Sequence, residues 1–125
     1  MSQKILLVED DELMARMYMR ILSYEGYTLE TAANGQAGYE KAKTFQPNLI
    51  LLDIMMPVLN GLQALEKLKK DPQTQACPVI MLTNLADKAE AELALQNGAL
   101  KYVIKSDYDS DGLLSIVREV LPATD

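Results

Sequence analysis

The 125-residue chain contains no histidine and no tryptophan, and it has one cysteine and one phenylalanine. Without histidine, Ser-His and Cys-His catalysis, His-ligated zinc and a phosphohistidine on this chain are all excluded. Cys77 alone forms neither an intramolecular disulfide nor a cysteine-rich metal site, which suits a reducing, cytoplasmic setting. No apolar run approaches the ~18 residues of a membrane span, so no membrane insertion is expected. Met1-Ser2-Gln3 leads straight into a strand-like segment, leaving no room for a signal peptide. Basic residues are in deficit: 12 Lys and Arg against 18 Asp and Glu give a net charge of −6, which argues against direct nucleic-acid binding. Apolar residues make up 49%, enough for one buried core, so residues 1–125 are read as a single domain.

What is present is an alternation. Five short apolar runs, Lys4 to Val8, Tyr27 to Thr31, Asn48 to Leu52, Pro78 to Leu82 and Lys101 to Ile104, recur every 20–30 residues or so, the length of one βα unit. The first, third and fourth are almost wholly apolar, as parallel strands covered on both faces are. The second alternates and the fifth is short and flanked by lysines, so both read as edges. Amphipathic stretches lie between. Leu13, Met14, Met17, Tyr18, Ile21 and Leu22 make one helix face, which Gly26 can close. A second helix spans roughly Gly35 to Phe45. Leu62, Leu65 and Leu68 stripe a third, stopped by Asp71-Pro72. An Ala-rich fourth runs from Asp87 to Asn97-Gly98, and Leu113 to Leu121 stripe a fifth, ended by Pro122. The pattern predicts an α/β, doubly wound (βα)5 three-layer sandwich. Two edge strands and right-handed crossovers select a parallel sheet of order 2-1-3-4-5.

In such a sheet ligands bind beyond the carboxyl ends of the strands, where the winding reverses, here between strands one and three. Strand one ends in Glu9-Asp10-Asp11 and strand three in Asp53. Converging carboxylates repel one another and raise their pKa values, and a hard divalent cation such as Mg²⁺ offsets that. The triplet could equally cap the next helix. Asp53 is harder to assign that way, because it follows four apolar residues in the most buried strand. Strand four ends in Thr83-Asn84 and strand five in Lys105. Alone, the threonine reads as a cap and the lysine as solvated; on the same rim as the carboxylates they could grip a phosphoryl group.

These segments, ILLVEDD (Ile5 to Asp11), LILLDIMMPVLNG (Leu49 to Gly61), VIMLTN (Val79 to Asn84), NGA (Asn97 to Ala99) and YVIK (Tyr102 to Lys105), occur in order over essentially the whole chain. In this the sequence resembles the receiver domain of two-component response regulators, a flavodoxin-like fold. The resemblance implies that Asp53 accepts a phosphoryl group. It implies Mg²⁺ held by Asp10, by Asp53, by Glu9 through water and by the backbone carbonyl of Met55, while Asp11 stays a cap. Lys105 would be the phosphate-binding cation, Thr83 the switch hydroxyl and Tyr102 the switch aromatic. The implied partners are a sensor histidine kinase or histidine phosphotransfer protein and a downstream effector; a homodimer through the face of the fourth helix, fifth strand and fifth helix is compatible with the family but is not readable in the residues. No enzyme activity is implied beyond self-phosphorylation and autodephosphorylation at Asp53.

Several positions depart from the family pattern. Proline usually follows the lysine, across a cis peptide. Here the pair is Lys105-Ser106, and a non-proline cis bond costs about 2.5–4 kcal/mol, so this bond is expected to be trans, or cis and strained, with an altered loop. One acid of Asp107 to Asp111 is expected to cap the fifth helix. Met55 and Leu85, two residues after Asp53 and Thr83, are apolar and should hinder a hydrolytic water. Two other readings compete. A small Mg²⁺-dependent aspartyl-phosphate hydrolase would want an acid at position 55 and a capping insertion. A phosphate-independent interaction module would have shed at least one of Glu9, Asp10, Asp53, Thr83 and Lys105. No GxxxxGK[ST] or GxGxxG loop supports nucleotide binding. Little follows the fifth helix, and Met1-Ser2 favours a stand-alone protein over an excised fragment.

Overall fold

The computed structural model describes residues 3–121; Met1-Ser2 and the helix-ending role of Pro122 lie outside the described residues. Five strands, β1 (Lys4–Val8), β2 (Thr28–Ala32), β3 (Leu49–Leu52), β4 (Val79–Thr83) and β5 (Lys101–Ile104), alternate with five helices. These are α1 (Glu12–Tyr24), α2 (Gly35–Phe45), α3 (Gly61–Lys70), α4 (Lys88–Gln96) and α5 (Ser110–Val120). All strand pairs are parallel and the order is β2-β1-β3-β4-β5, as the two edge-like runs imply. β2 and β4 each sit one residue later than the apolar runs suggest, so Thr83 is the last residue of its strand rather than the first beyond it.

The core has two layers because strand side chains alternate between faces. Ile5, Leu7, Leu49, Leu51, Ile80, Leu82 and Val103 face α1 and α5. Leu6, Val8, Ile50, Leu52, Val79 and Met81 face the opposite way, with Ala42, Leu65 and Ala94 of α2, α3 and α4. The register lines these up in rows: Leu7 pairs with Leu51 and Leu51 with Ile80, while Val8 pairs with Leu52, Leu52 with Met81 and Met81 with Tyr102. β1, β3 and β4 are buried along almost their whole length, which is why their sequences run apolar without a break.

Local chemistry sets the helix ends. Asp11 caps α1 through Leu13 and Met14 N–H, Asp87 caps α4, and Asp109 caps α5 by accepting from Gly112 N–H at 2.8 Å. Asn60 and Gln63 form a reciprocal capping box on α3. Gly26 at φ 97 and Gly98 at φ 106 close α1 and α4 in the left-handed region, each N–H returning to the last turn. At the far end of the sheet, Cys77 lies half-buried with its thiol donating to the Pro47 carbonyl at 3.3 Å. Burial pushes that thiol up to about 11. At pH 8 such a thiol is ionised to about one part in a thousand, against about a quarter for an ordinary one. Alkylation of Cys77 at pH 8 is therefore expected to run at least ~100-fold slower in the folded protein than in guanidinium, measured by mass spectrometry.

Candidate functional site: an acidic pocket bridged by a lysine

The site is a consequence of register. Val8 and Leu52 are the last paired residues of β1 and β3, so the chain places Glu9 and Asp53 side by side at the carboxyl end of the sheet. Asp53 N–H donates to the Val8 carbonyl at 3.1 Å, and Glu9 N–H to the Ala32 carbonyl at 2.9 Å. Both side chains are nearly closed off, Glu9 at 4% exposure and Asp53 at 6%, whereas Asp10 stays open to solvent. Ligand oxygens of Glu9, Asp10 and Asp53 all lie within 4.8 Å of one another.

Lys105 enters from the end of β5. Its ammonium donates to Glu9 Oε1 and, at 3.0 Å, to Asp53 Oδ2, forming a buried double ion pair. The remaining carboxylate oxygens take backbone donors: Asp11 N–H to Glu9 Oε2 at 3.2 Å and Met55 N–H to Asp53 Oδ1 at 3.3 Å. Burial holds Glu9 above the usual carboxylate range, with Lys105 partly offsetting it. Burial works against the Lys105 cation as well, yet hydrogen bonds to Glu9 and Asp53 outweigh it and leave its pKa raised. The cation's contribution is therefore complete below its ordinary pKa near 10.5 and is lost only as pH climbs through the raised value. The Lys105-Ser106 peptide is trans, and Lys105–Asp107 form one 3₁₀ turn, so the lysine reaches both carboxylates without a cis bond.

Thr83 and Tyr102 are brought together elsewhere. Thr83 is fully buried and its Oγ1 accepts from Leu85 N–H at 3.2 Å, while the Tyr102 hydroxyl donates to the Leu85 carbonyl at 2.5 Å. The two side chains thus hold opposite sides of one peptide segment at the start of the β4–α4 loop, and neither bonds to the carboxylates. Leu85 as their common anchor was not readable in the sequence, since a backbone partner leaves no side-chain signature.

Two glycines were also missed as parts of the site. A Cβ on Gly61 would lie 2.1 Å from the Asp53 carbonyl oxygen, and one on Gly35 would lie 2.2 Å from that of Leu59. An Asn-Gly pair opens both helices, Asn34-Gly35 at α2 and Asn60-Gly61 at α3, and was the available signal, but it reads as an ordinary helix start and says nothing of what lies against the glycine. Between them runs a tight loop in which Val58 adopts φ 69 with its side chain 82% exposed. A β-branched residue in that region costs about 1–3 kcal/mol, and packing does not repay it here.

The donors suit a hard cation. Three carboxylates against one ammonium leave a formal charge of −3 + 1 = −2 in the pocket, and Asp10 and Asp53 offer oxygen atoms of the type Mg²⁺ takes. Among the described residues no helix is long and apolar enough to cross a membrane.

Residues 5–118 match the family profile of the response regulator receiver domain. Response regulator ArlR of Staphylococcus aureus is 36% identical over 118 residues, covering 94% of this chain and 52% of that protein, so the chain spans about half the length of the curated relatives it matches. Among solved structures, a response regulator receiver domain protein (CheY-like) from Methanospirillum hungatei JF-1 superposes with a TM-score of 0.90 at 32% identity, covering 97% of this chain and 94% of that one. The receiver domain of sensor histidine kinase PA1611 from Pseudomonas aeruginosa PAO1, whose structure has a magnesium ion coordinated in the active site cleft, gives 0.87 at 28% identity, covering 98% and 100%.

Replacing Lys105 by methionine leaves the buried carboxylates without a counter-charge. The metal-free variant is expected to lose about 3–5 kcal/mol in urea unfolding at pH 7. The deficit should shrink as pH falls toward 4, because Glu9, which burial holds above the usual carboxylate range, is protonated and the uncompensated charge falls.

Proposed function

The chain belongs to the response regulator receiver domain family of two-component signal transduction, and from that premise we propose that Asp53 is its phosphoacceptor. The observation that carries this reading is the Lys105 bridge, which leaves a buried carboxylate beside a fixed cation at the mouth of the sheet. A carboxylate is already ionised at neutral pH and needs no general base. An Asp53 oxygen attacks phosphorus, the P–N bond of a partner's phosphohistidine breaks, and the imidazole leaves with its electron pair to be reprotonated. The product is an acyl phosphate, and attack of water at phosphorus returns the carboxylate and inorganic phosphate.

Phosphoryl transfer needs positioning and charge neutralisation more than covalent help. Lys105 supplies one cation. Asp10, Asp53, the Met55 carbonyl and, through water, Glu9 would hold Mg²⁺, which when bound neutralises phosphoryl oxygens and aligns the donor. The phosphoryl group adds about −1.5 to −2 charges. The Thr83 hydroxyl, now serving Leu85 N–H, is the candidate to turn toward it. Hydrogen bonds to charged groups are worth about 1.5–3 kcal/mol each, so new ones from Thr83 and Lys105 supply about 3–6 kcal/mol. Moving an equilibrium from 1:99 to 99:1 takes about 5.5 kcal/mol, which the two bonds reach only at the upper end of that range. Because Tyr102 holds the other side of Leu85, releasing Leu85 N–H lets the segment that anchors the Tyr102 hydroxyl move. The change is delivered to the α4–β5–α5 face, where Leu93 and Leu100 are exposed and Lys101 pairs with Glu119 at 2.7 Å. That face would bind a downstream effector or a second copy of the chain. The phosphodonor would be a sensor histidine kinase or histidine phosphotransfer protein in the cytoplasm, and residues 1–125 are taken as one receiver unit that turns over nothing but its own phosphoryl group.

Acetyl phosphate with Mg²⁺ should add one phosphoryl group, seen as a mass gain of about 80 Da. Asp53→Asn should abolish the gain; an unmodified wild type would overturn the reading. Met55, 62% exposed, and Leu85 are apolar at the two positions that flank the water's path in the family, and should slow the hydrolytic water. The acyl phosphate is expected to persist for minutes in Mg²⁺ without a phosphatase, and loss of the label within seconds would contradict that.

A further inference from the structure

We propose that Gly35 is a positioning residue for the phosphoacceptor site, acting from outside it by latching the β3–α3 loop to the amino terminus of α2. The inference rests on the reading of Asp53 given above. Gly35 is the first residue of α2, where a helix has N–H groups with no partner of their own, and its N–H donates to the Leu59 carbonyl at 3.0 Å. A Cβ there would lie 2.2 Å from that carbonyl oxygen and 3.1 Å from the Ala64 Cβ, so any side chain must push the loop away. The requirement is one of space: Gly35 is an ordinary helical residue, and alanine would favour α2 itself.

Leu59 is a sensitive point at which to hold this loop. Its own N–H donates to the Pro57 carbonyl at 2.8 Å across Val58, the residue at φ 69. Two residues on, Gly61 N–H donates to the Ile54 carbonyl at 2.9 Å, directly after Asp53. Met55 N–H then closes on Asp53 Oδ1 at 3.3 Å. A chain of backbone hydrogen bonds thus runs from α2 to the acceptor carboxylate. Val58 gains no packing from its strained turn, so the latch is what keeps it there.

The test compares Gly35→Ala with Ala42→Gly, which loosens α2 elsewhere, by thermal unfolding, ¹⁵N–¹H spectra of the metal-free protein and Mg²⁺ titration. Gly35→Ala is expected to shift the Asp53, Met55 and Gly61 amides and to weaken Mg²⁺ binding at least threefold. Ala42→Gly should lower Tm while leaving the Mg²⁺ affinity at the wild-type value. Adding Val58→Gly to Gly35→Ala gives the loop freedom to follow the displaced carbonyl and should restore at least half of the lost affinity. A folded Gly35→Ala protein with wild-type affinity and unshifted Met55 and Gly61 amides overturns the latch, as does a loss that tracks Tm equally in both variants. If Gly35→Ala does not fold, hydrogen exchange decides in the wild type: Mg²⁺ should slow the Gly35 amide more than that of Gly38 in the same helix, and equal slowing refutes the proposal. A wild type that binds no Mg²⁺ and takes no phosphoryl group refutes the phosphoacceptor reading instead, while the metal-free amide shifts still judge the latch.

Discussion

One ammonium group between two buried carboxylates organises this protein's functional end. Lys105 arrives from β5, Glu9 from β1 and Asp53 from β3, so the double ion pair ties together strands far apart in sequence. A buried ion pair adds little net stability, because desolvating the charges offsets most of their attraction. What it provides is position. The lysine fixes Asp53 at the rim and leaves a formal negative charge in the pocket, whose open side is at the exposed Asp10.

The rest of the fold serves that placement. Pairing of Val8 with Leu52 decides that the next residues, Glu9 and Asp53, are neighbours. A slip of one residue would send either carboxylate to the other face of the sheet. Two dry layers of aliphatic side chains make such a slip costly, since every strand side chain would change layers at once. The edge strands are less buried, and this suits a signalling face: β5 carries Tyr102 and Lys101 only partly covered, beside α4 and α5. Thr83 and Tyr102 meet at Leu85, so the end of β4 and that face share one backbone segment.

Much of this was legible in the residues. Almost unbroken apolar runs at Lys4 to Val8, Asn48 to Leu52 and Pro78 to Leu82 marked interior strands, and the alternating Tyr27 to Thr31 and the short Lys101 to Ile104 marked edges. Asp11 and one acid of the Asp107 to Asp111 segment were assigned as caps, and the structure has Asp11 and Asp109 in those roles. The peptide after Lys105 is trans, one of the two states that the missing proline left open. Less legible were the strand limits. Pro78 has no N–H to give the ladder, and β4 runs from Val79 to Thr83, which buries the Thr83 hydroxyl completely. Gly35 looked like any helix-opening glycine until Leu59, 24 residues later, was found against it.

By itself, then, the sequence determined the alternation of elements, the sheet order, the rim on which chemistry would sit and the residue types available there. These are local or periodic properties, set by burial patterns and capping preferences within a few residues. Only the tertiary structure decided that Lys105 bridges Glu9 and Asp53, that Thr83 and Tyr102 share Leu85, and that α2 leaves no room beside Leu59. Each of these is a contact of a few ångströms between segments distant along the chain. Such contacts depend on strand register and backbone clearance, and no periodicity in the sequence encodes them.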